Sequence, residues 1–251
     1  MILNAEGFDA KNFYFDQALK LIIYSYSRLK KDKTKKPYSR RAIHQVIKEV
    51  QGNPGAHFQL EDFLRNDLVD TYLKRLRHRF NLSHFSIQPG SEEATKNVRT
   101  GIVDIRFENV SATTLDGTGF IFECKRLNKY AEYQKAYIEE GMLRFVNGKY
   151  DAGACTAVAG MIAFVEVDFV NHKDAFEPID RIATQLKSRI DLAKNLLKTT
   201  RELLSYSFGY CKVPEISEFK YSYLSKHTRS CDNFEIAVHH LLLDYYDILV
   251  P

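Results

Sequence analysis

Asp104, Glu123 and Lys125 stand inside two apolar stretches where a buried strand ordinarily carries no charge. Both lie in GIVDIRFENVSATTLDGTGFIFECKRL, residues 101–127. Period-two alternation gives each stretch one clean apolar face. In the first, Val103, Ile105 and Phe107 point one way and Asp104 and Arg106 the other. In the second, Phe120, Phe122 and Cys124 oppose Ile121, Glu123 and Lys125. A hairpin pairing the two brings Asp104 near Glu123 on one face. Two carboxylates held close repel unless a cation lies between them. A hard divalent ion, most often magnesium, meets that need and keeps waters in its other positions. Lys125 projects to the same side.

Helices and strands must hold these groups. Phe15, Leu19, Ile22 and Tyr26 have helical spacing within residues 11–29. SRRAIHQVIKEV follows, with Ser39 as N-cap and Ile43, Val46, Ile47 and Val50 as its apolar face. Gly52-Asn53-Pro54-Gly55 then breaks the chain, so residues 1–52 read as a helical N-terminal extension and residues 53–251 as the core domain. Residues 57–80 repeat Leu60, Leu64, Leu68, Tyr72 and Leu76 every four positions, a long amphipathic helix. A short strand at 84–88, a polar loop from Gly90 to Thr100 and strands at 101–108 and 119–126 come next, with a turn around Asp116-Gly117-Thr118-Gly119. Residues 129–147 read as a helix ended by Asn147-Gly148. AGMIAFVEVDFV, residues 159–170, is a strand buried on both faces, charged only at Glu166 and Asp168. Asp174 then caps a helix striped by Ile179, Ile182, Leu186, Ile190, Ala193 and Leu197. EFKYSYL and FEIAVHHLLL, around the polar SKHTRSCDN, make a C-terminal hairpin. This order predicts an α/β mixed central sheet flanked by helices.

Asp104 followed by Glu123-Cys124-Lys125 resembles the motif of the PD-(D/E)xK nuclease superfamily, with Val103 in place of the motif's Pro. The resemblance spans roughly residues 57–170, where helix, antiparallel meander, helix and further strand keep the family's order. It implies a restriction-endonuclease-like fold and a nuclease using Mg2+ (or Mn2+) to hydrolyse phosphodiester bonds of DNA. Asp104 and Glu123 would hold metal, and Lys125 would position or help deprotonate the water. It also implies a prokaryotic setting in restriction or antiphage defence, with a helicase or ATPase subunit encoded elsewhere as a partner. The alternative is a catalytically inactive nucleic-acid-binding or assembly subunit with the same fold.

Family members often add an acidic ligand from the helix before the meander. Glu61, Asp62 and Asp67 are the candidates; Glu61 is preferred, against an ordinary acidic first turn favoured by the helix dipole. Gln134 and Tyr133, in the next helix, would face the site as second-layer groups. Glu140 and Arg144 suit an i,i+4 ion pair. A second triplet, Glu218-Phe219-Lys220, has no strand-borne Asp before it at hairpin distance and reads as a solvated edge strand.

The whole chain of 251 residues carries +4, but unevenly. RLKKDKTKKPYSRR, residues 28–41, holds eight Lys or Arg and one Asp, a local +7 that leaves −3 for the rest. Lys30, Lys31, Lys33, Lys35, Lys36, Arg40 and Arg41 would form a loop gripping phosphate backbone, or else a solvated connector. No apolar run approaches the roughly 18–20 residues that span a bilayer. The start lacks a secretory pattern. The cysteines have no metal spacing and read as reduced thiols, so a cytoplasmic location is expected. Cys124 faces the core, and His239 and His240 lack a ligand partner at useful spacing. His227 and Arg229 belong to a polar turn or touch nucleic acid. No GxxxxGK[ST] loop occurs, so no ATPase is expected in this chain.

Overall fold

Phe15, Leu19, Ile22 and Tyr26 lie on the buried side of α1 (Ala10–Lys35), which crosses one face of the sheet. Phe15 stacks on Phe122 at 5.4 Å and meets Phe120 edge-on. The sequence pattern puts α1 in an extension, yet it shares one hydrophobic core with the sheet. The structure, a computed structural model, describes residues 10–52, 59–95, 98–110, 119–150, 157–166, 178–208 and 211–250. The turn at Asp116 and the residues Asp168 and Asp174 lie outside them.

After α1 come a two-residue strand, β1 (Tyr38–Ser39), and α2 (Arg40–Gln51), whose N-cap Ser39 accepts from the Ala42 N–H. α3 (Leu60–Asp67) runs through a π-helical turn, Leu68–Leu73, into α4 (Lys74–Leu76). A strict four-residue apolar repeat drifts about 40° per step around an ordinary α-helix. The wider π turn absorbs that drift, which keeps Leu60, Leu64, Leu68 and Tyr72 buried together.

β2 (Phe85–Thr95) and β3 (Val98–Asn109) pair antiparallel. Both extend into the stretch read as polar loop, because ladder bonds need only backbone groups, not an apolar pattern. β4 (Gly119–Leu127) is next. α5 (Ala131–Ala136) passes through a second π turn, Tyr137–Met142, into α6 (Leu143–Val146). β5 (Val158–Val165), α7 (Ile179–Leu192), β6 (Thr199–Ser205), α8 (Pro214–Ser217), β7 (Ser222–Thr228), β8 (Glu235–Asp244) and β9 (Leu249–Val250) complete the order.

The main sheet has seven strands in the order β2-β3-β4-β5-β8-β7-β6, and β9 pairs with β1 apart from it. β4, β5 and β8 are mutually parallel, and the outer pairings are antiparallel. This is an α/β fold with a mixed central sheet. Cys124, Ile162, Phe164 and Leu241 face the side of α1; Leu127, Met161, Ala163 and Leu242 face Tyr137, Phe145, Ile182 and Leu186. β5 is therefore buried on both faces, as its apolar run predicts.

The C-terminal hairpin is β7 and β8, but it is no appendage, since β8 sits beside β5 at the centre of the sheet. β6 is the edge strand at that end of the sheet, β2 being the other edge, and its TTRELLS sequence shows little alternation. Glu218 and Lys220 lie exposed between α8 and β7, so the second triplet is on a turn and not on an edge strand. Among the described residues no helix is long and apolar enough to cross a membrane.

Candidate active site

The β3–β4 ladder runs from Glu108–Gly119 to Ile105–Phe122. One step further, Asp104 replaces a ladder acceptor with its side chain: its Oδ2 accepts from the Cys124 backbone N–H at 2.8 Å. Its Oδ1 accepts from Arg65 Nη1 at 2.7 Å. The expected hairpin thus brings Asp104 beside Glu123, and the charge of Asp104 acts on the Glu123 carboxyl. Cys124 points into the core, where burial pushes its thiol up.

Glu123 is fully buried. Its Oε1 accepts from Arg144 Nη1 at 2.6 Å and lies 3.2 Å from Lys125 Nζ. Its Oε2 accepts from the Tyr150 hydroxyl at 2.5 Å. Burial, and then the negative charge of Asp104, push the Glu123 carboxyl up to about 7, against the pull of Lys125 and Arg144. Lys125 Nζ also donates to Glu61 Oε1 at 3.2 Å. Burial works against the Lys125 charge, but Glu61, Glu123 and Asp104 outweigh it and raise its pKa above the ordinary lysine value. These neighbours favour the protonated form of Lys125.

These groups line a cleft of about 490 Å³ between α3, β4 and the α5–α6 helix. Gly141 lets the second π turn approach, since a Cβ there would lie 2.5 Å from Met161 Cε and 3.6 Å from Lys125 Cγ. Two π turns thus occur in the two helices that wall the cleft, a frequent feature of functional sites.

Of the three acids on α3, Asp62 caps the helix, accepting from the Gln59 N–H at 2.7 Å. Asp67 takes the hydroxyls of Tyr38 and Thr71, away from the cleft. Glu61 and Asp62 both line the cleft, and Glu61 is the one that accepts from Lys125. Its second oxygen accepts from the Arg126 N–H at 2.9 Å, so Glu61 ties Lys125 to the β4 backbone. Among the described residues no group of three His, Cys, Asp or Glu has metal-binding spacing. Asp104 and Glu123 offer the oxygen donors that magnesium takes, and in this structure both oxygens of each already accept from protein donors.

Tyr133 lines the cleft, with the Arg126 guanidinium 5.1 Å from its ring centre. Gln134 does not: it is buried against α7, bonded to Gln185 and Arg189 and to the Asn128 carbonyl. Arg144 pairs with Glu123 and not with Glu140, because the π turn between them adds a residue and rotates the rest of the helix by roughly 100°.

The basic block is mostly helix, not loop, since α1 continues to Lys35. Lys30 pairs with Asp244 at 2.9 Å and Lys31 with Glu215 at 3.3 Å. Lys33 lies over the Tyr38 ring at 4.0 Å. Arg40 is buried and pairs with Glu166, which Arg126 also binds, so it is not a surface phosphate contact. Lys35, Lys36 and Arg41 are the exposed remainder. His227 is buried, and Arg229 is buried and paired with Asp232, which makes them parts of the sheet and its turn.

Sequence reasoning missed Arg65, Arg144, Tyr150 and the Glu166 pair. Glu166 carried a signal as an acid in an otherwise apolar strand. Arg65 carried one too, sitting one helical turn after Glu61 on the same face. A comparison of the chain with protein-family models, with curated proteins and with solved structures found no match.

Proposed function

We propose that the cleft is the active site of a divalent-metal-dependent nuclease acting on DNA, built on a restriction-endonuclease-like core. The observation that carries this reading is the convergence of Asp104, Glu123 and Lys125 on one cleft, with Lys125 touching the Glu123 carboxylate. The meander β2-β3-β4, joined across a helix to parallel β5, supports the fold assignment.

Charge supports the same reading. Glu61, Asp62, Asp104, Glu123 and Glu140 line the cleft together with Arg65, Lys125, Arg126 and Arg144, five carboxyl groups and four cations. A phosphodiester is itself an anion, so further positive charge would strengthen its binding in such a cleft. Asp104 and Glu123 would hold Mg2+ or Mn2+, which when bound supplies Lewis-acid charge and a nucleophilic water. Arg65 and the Cys124 N–H fix the Asp104 carboxylate in place. Glu61 fixes Lys125, which stays protonated and sets positive charge where negative charge develops on the phosphate. Restriction or antiphage defence, beside a helicase or ATPase subunit, is the role that the resemblance suggests.

One observation favours a second reading, an inactive nucleic-acid-binding subunit. Both carboxylate oxygens of Asp104, of Glu123 and of Glu61 already accept from a protein donor. Incubating the purified chain with plasmid, linear duplex, single strands and RNA separates the two. The nuclease cuts DNA with Mg2+ or Mn2+ and stops with chelator. Binding that is indifferent to metal, with every substrate intact, would establish the second reading.

A further inference from the structure

We propose that Arg144 binds a substrate phosphodiester, through the edge of its guanidinium formed by Nε and Nη2. The inference rests on the nuclease reading, and elimination among the four cleft cations leads to it. Arg65 is buried, with Nη1 on Asp62 and Asp104 and Nε on Asn66. Lys125 is held between Glu61 and Glu123, its side chain only 12% exposed. Arg126 commits Nε and Nη2 to the buried Glu166 carboxylate. The Arg144 side chain is 30% exposed. It commits one nitrogen, Nη1, which donates to Glu123 Oε1 and to the Tyr150 hydroxyl oxygen, each at 2.6 Å.

A guanidinium presents its N–H groups as a rigid fork matched to two oxygens of a phosphate. Holding Arg144 by Nη1 leaves its opposite edge pre-oriented, with little side-chain freedom left to lose on binding. Tyr150 is then a positioning residue. Its buried ring packs edge-on against Phe145, and its hydroxyl bridges Arg144 and Glu123. Anchoring the guanidinium on Glu123 places the phosphate next to the carboxylate that would hold metal.

Fluorescence anisotropy with a short DNA duplex, in chelator, tests this without turnover. Arg144→Ala should weaken duplex binding by about 10- to 100-fold and reduce the salt slope by about one. Arg144→Lys should restore the slope but only part of the affinity, because an ammonium lacks the fork. Tyr150→Phe should weaken binding several-fold with the slope unchanged. If Arg144→Ala fails to melt cooperatively, Arg144→Lys decides, and wild-type affinity in that variant overturns the proposal. A wild-type chain that cuts DNA with Mn2+ while Arg144→Ala binds normally overturns this proposal and leaves the nuclease reading intact. A wild-type chain that cuts nothing while Arg144→Ala loses the duplex defeats the nuclease reading and upholds phosphate binding. Wild type binding no DNA at low salt overturns the proposal.

Discussion

Two buried polar networks lie on the same side of the sheet, and only one of them opens to a cleft. The closed one runs from Tyr137 to His240 Nδ1 at 2.9 Å, from His240 Nε2 to Ser225 Oγ at 2.8 Å, and on to His227 Nε2 at 2.7 Å. It ends where His227 Nδ1 donates to the Leu197 carbonyl at 3.0 Å. Every member is buried, and burial pushes His227 down to about 4, so the chain is neutral. The open network, around Glu123, gathers acidic and basic side chains on a cleft, and burial with the charge of Asp104 raises the Glu123 carboxyl to about 7. The difference teaches what marks a site. Histidines and a serine in hydrogen-bond reach look catalytic but are a satisfied core, whereas a cluster of perturbed charged groups beside open volume marks a candidate site.

The sharpest way to break this contrast is through the two Glu-x-Lys triplets. Glu123→Gln should lower cleavage at least ~10³-fold, by analogy with losing a metal-holding, charge-stabilising group, while Glu218→Gln should cut DNA like wild type. Equal losses in two folded variants would remove the cleft from the chemistry.

Stability should respond in the opposite sense. His240→Ala leaves the buried Tyr137 hydroxyl without its partner, leaves Ser225 only His227, and should cost about 2–4 kcal/mol in denaturant unfolding. Its metal affinity, measured by calorimetry, should stay within about threefold of wild type, since the two networks share no partner.

The charged cleft should also carry a pH signature. The Glu123 carboxyl lies near 7 in the fold against an ordinary 4.5. Its proton thus favours the folded state, and the contribution is complete below about 4.5 and lost as pH rises through about 7. Between pH 5 and 8, wild type should lose about 1–3 kcal/mol more stability than Glu123→Gln does. Parallel curves would mean that Glu123 is ionised throughout.

The smallest effect concerns the basic segment. Replacing exposed Lys35, Lys36 and Arg41 with Ala should weaken duplex binding about threefold to tenfold and flatten the salt slope. Arg40→Ala should instead lower stability, because it strips one partner from buried Glu166. A salt slope unchanged by the triple replacement would remove this segment from the binding surface.

Asp104, Glu123 and Lys125 were legible because strand alternation fixes which side chains share a face, and two short strands leave little room for error. The mixed sheet was legible from the order of apolar runs. Arg144 was not, because its partner depends on a π turn that shifts the register of a helix by one residue. Gln134 escapes for a related reason: helical spacing alone does not say whether a face meets the sheet, the cleft or α7. Arg40 sits inside a run of exposed lysines, and composition does not separate a buried guanidinium from its solvated neighbours. β6 escapes because an edge strand can pair by its backbone with little apolar pattern to announce it.

Lys125 tests the central claim most directly, since a protonated amine offers no lone pair to a metal. The measurement is a DNA cleavage time course for Lys125→Ala, with Mn2+ calorimetry on the same sample. A nuclease site predicts metal affinity retained and a rate lower by about 10²–10³. The lost pairing with Glu61 and Glu123 should appear as a lower, still cooperative melting transition. If folded Lys125→Ala cuts DNA at the wild-type rate, the Glu-x-Lys cleft is not the active site.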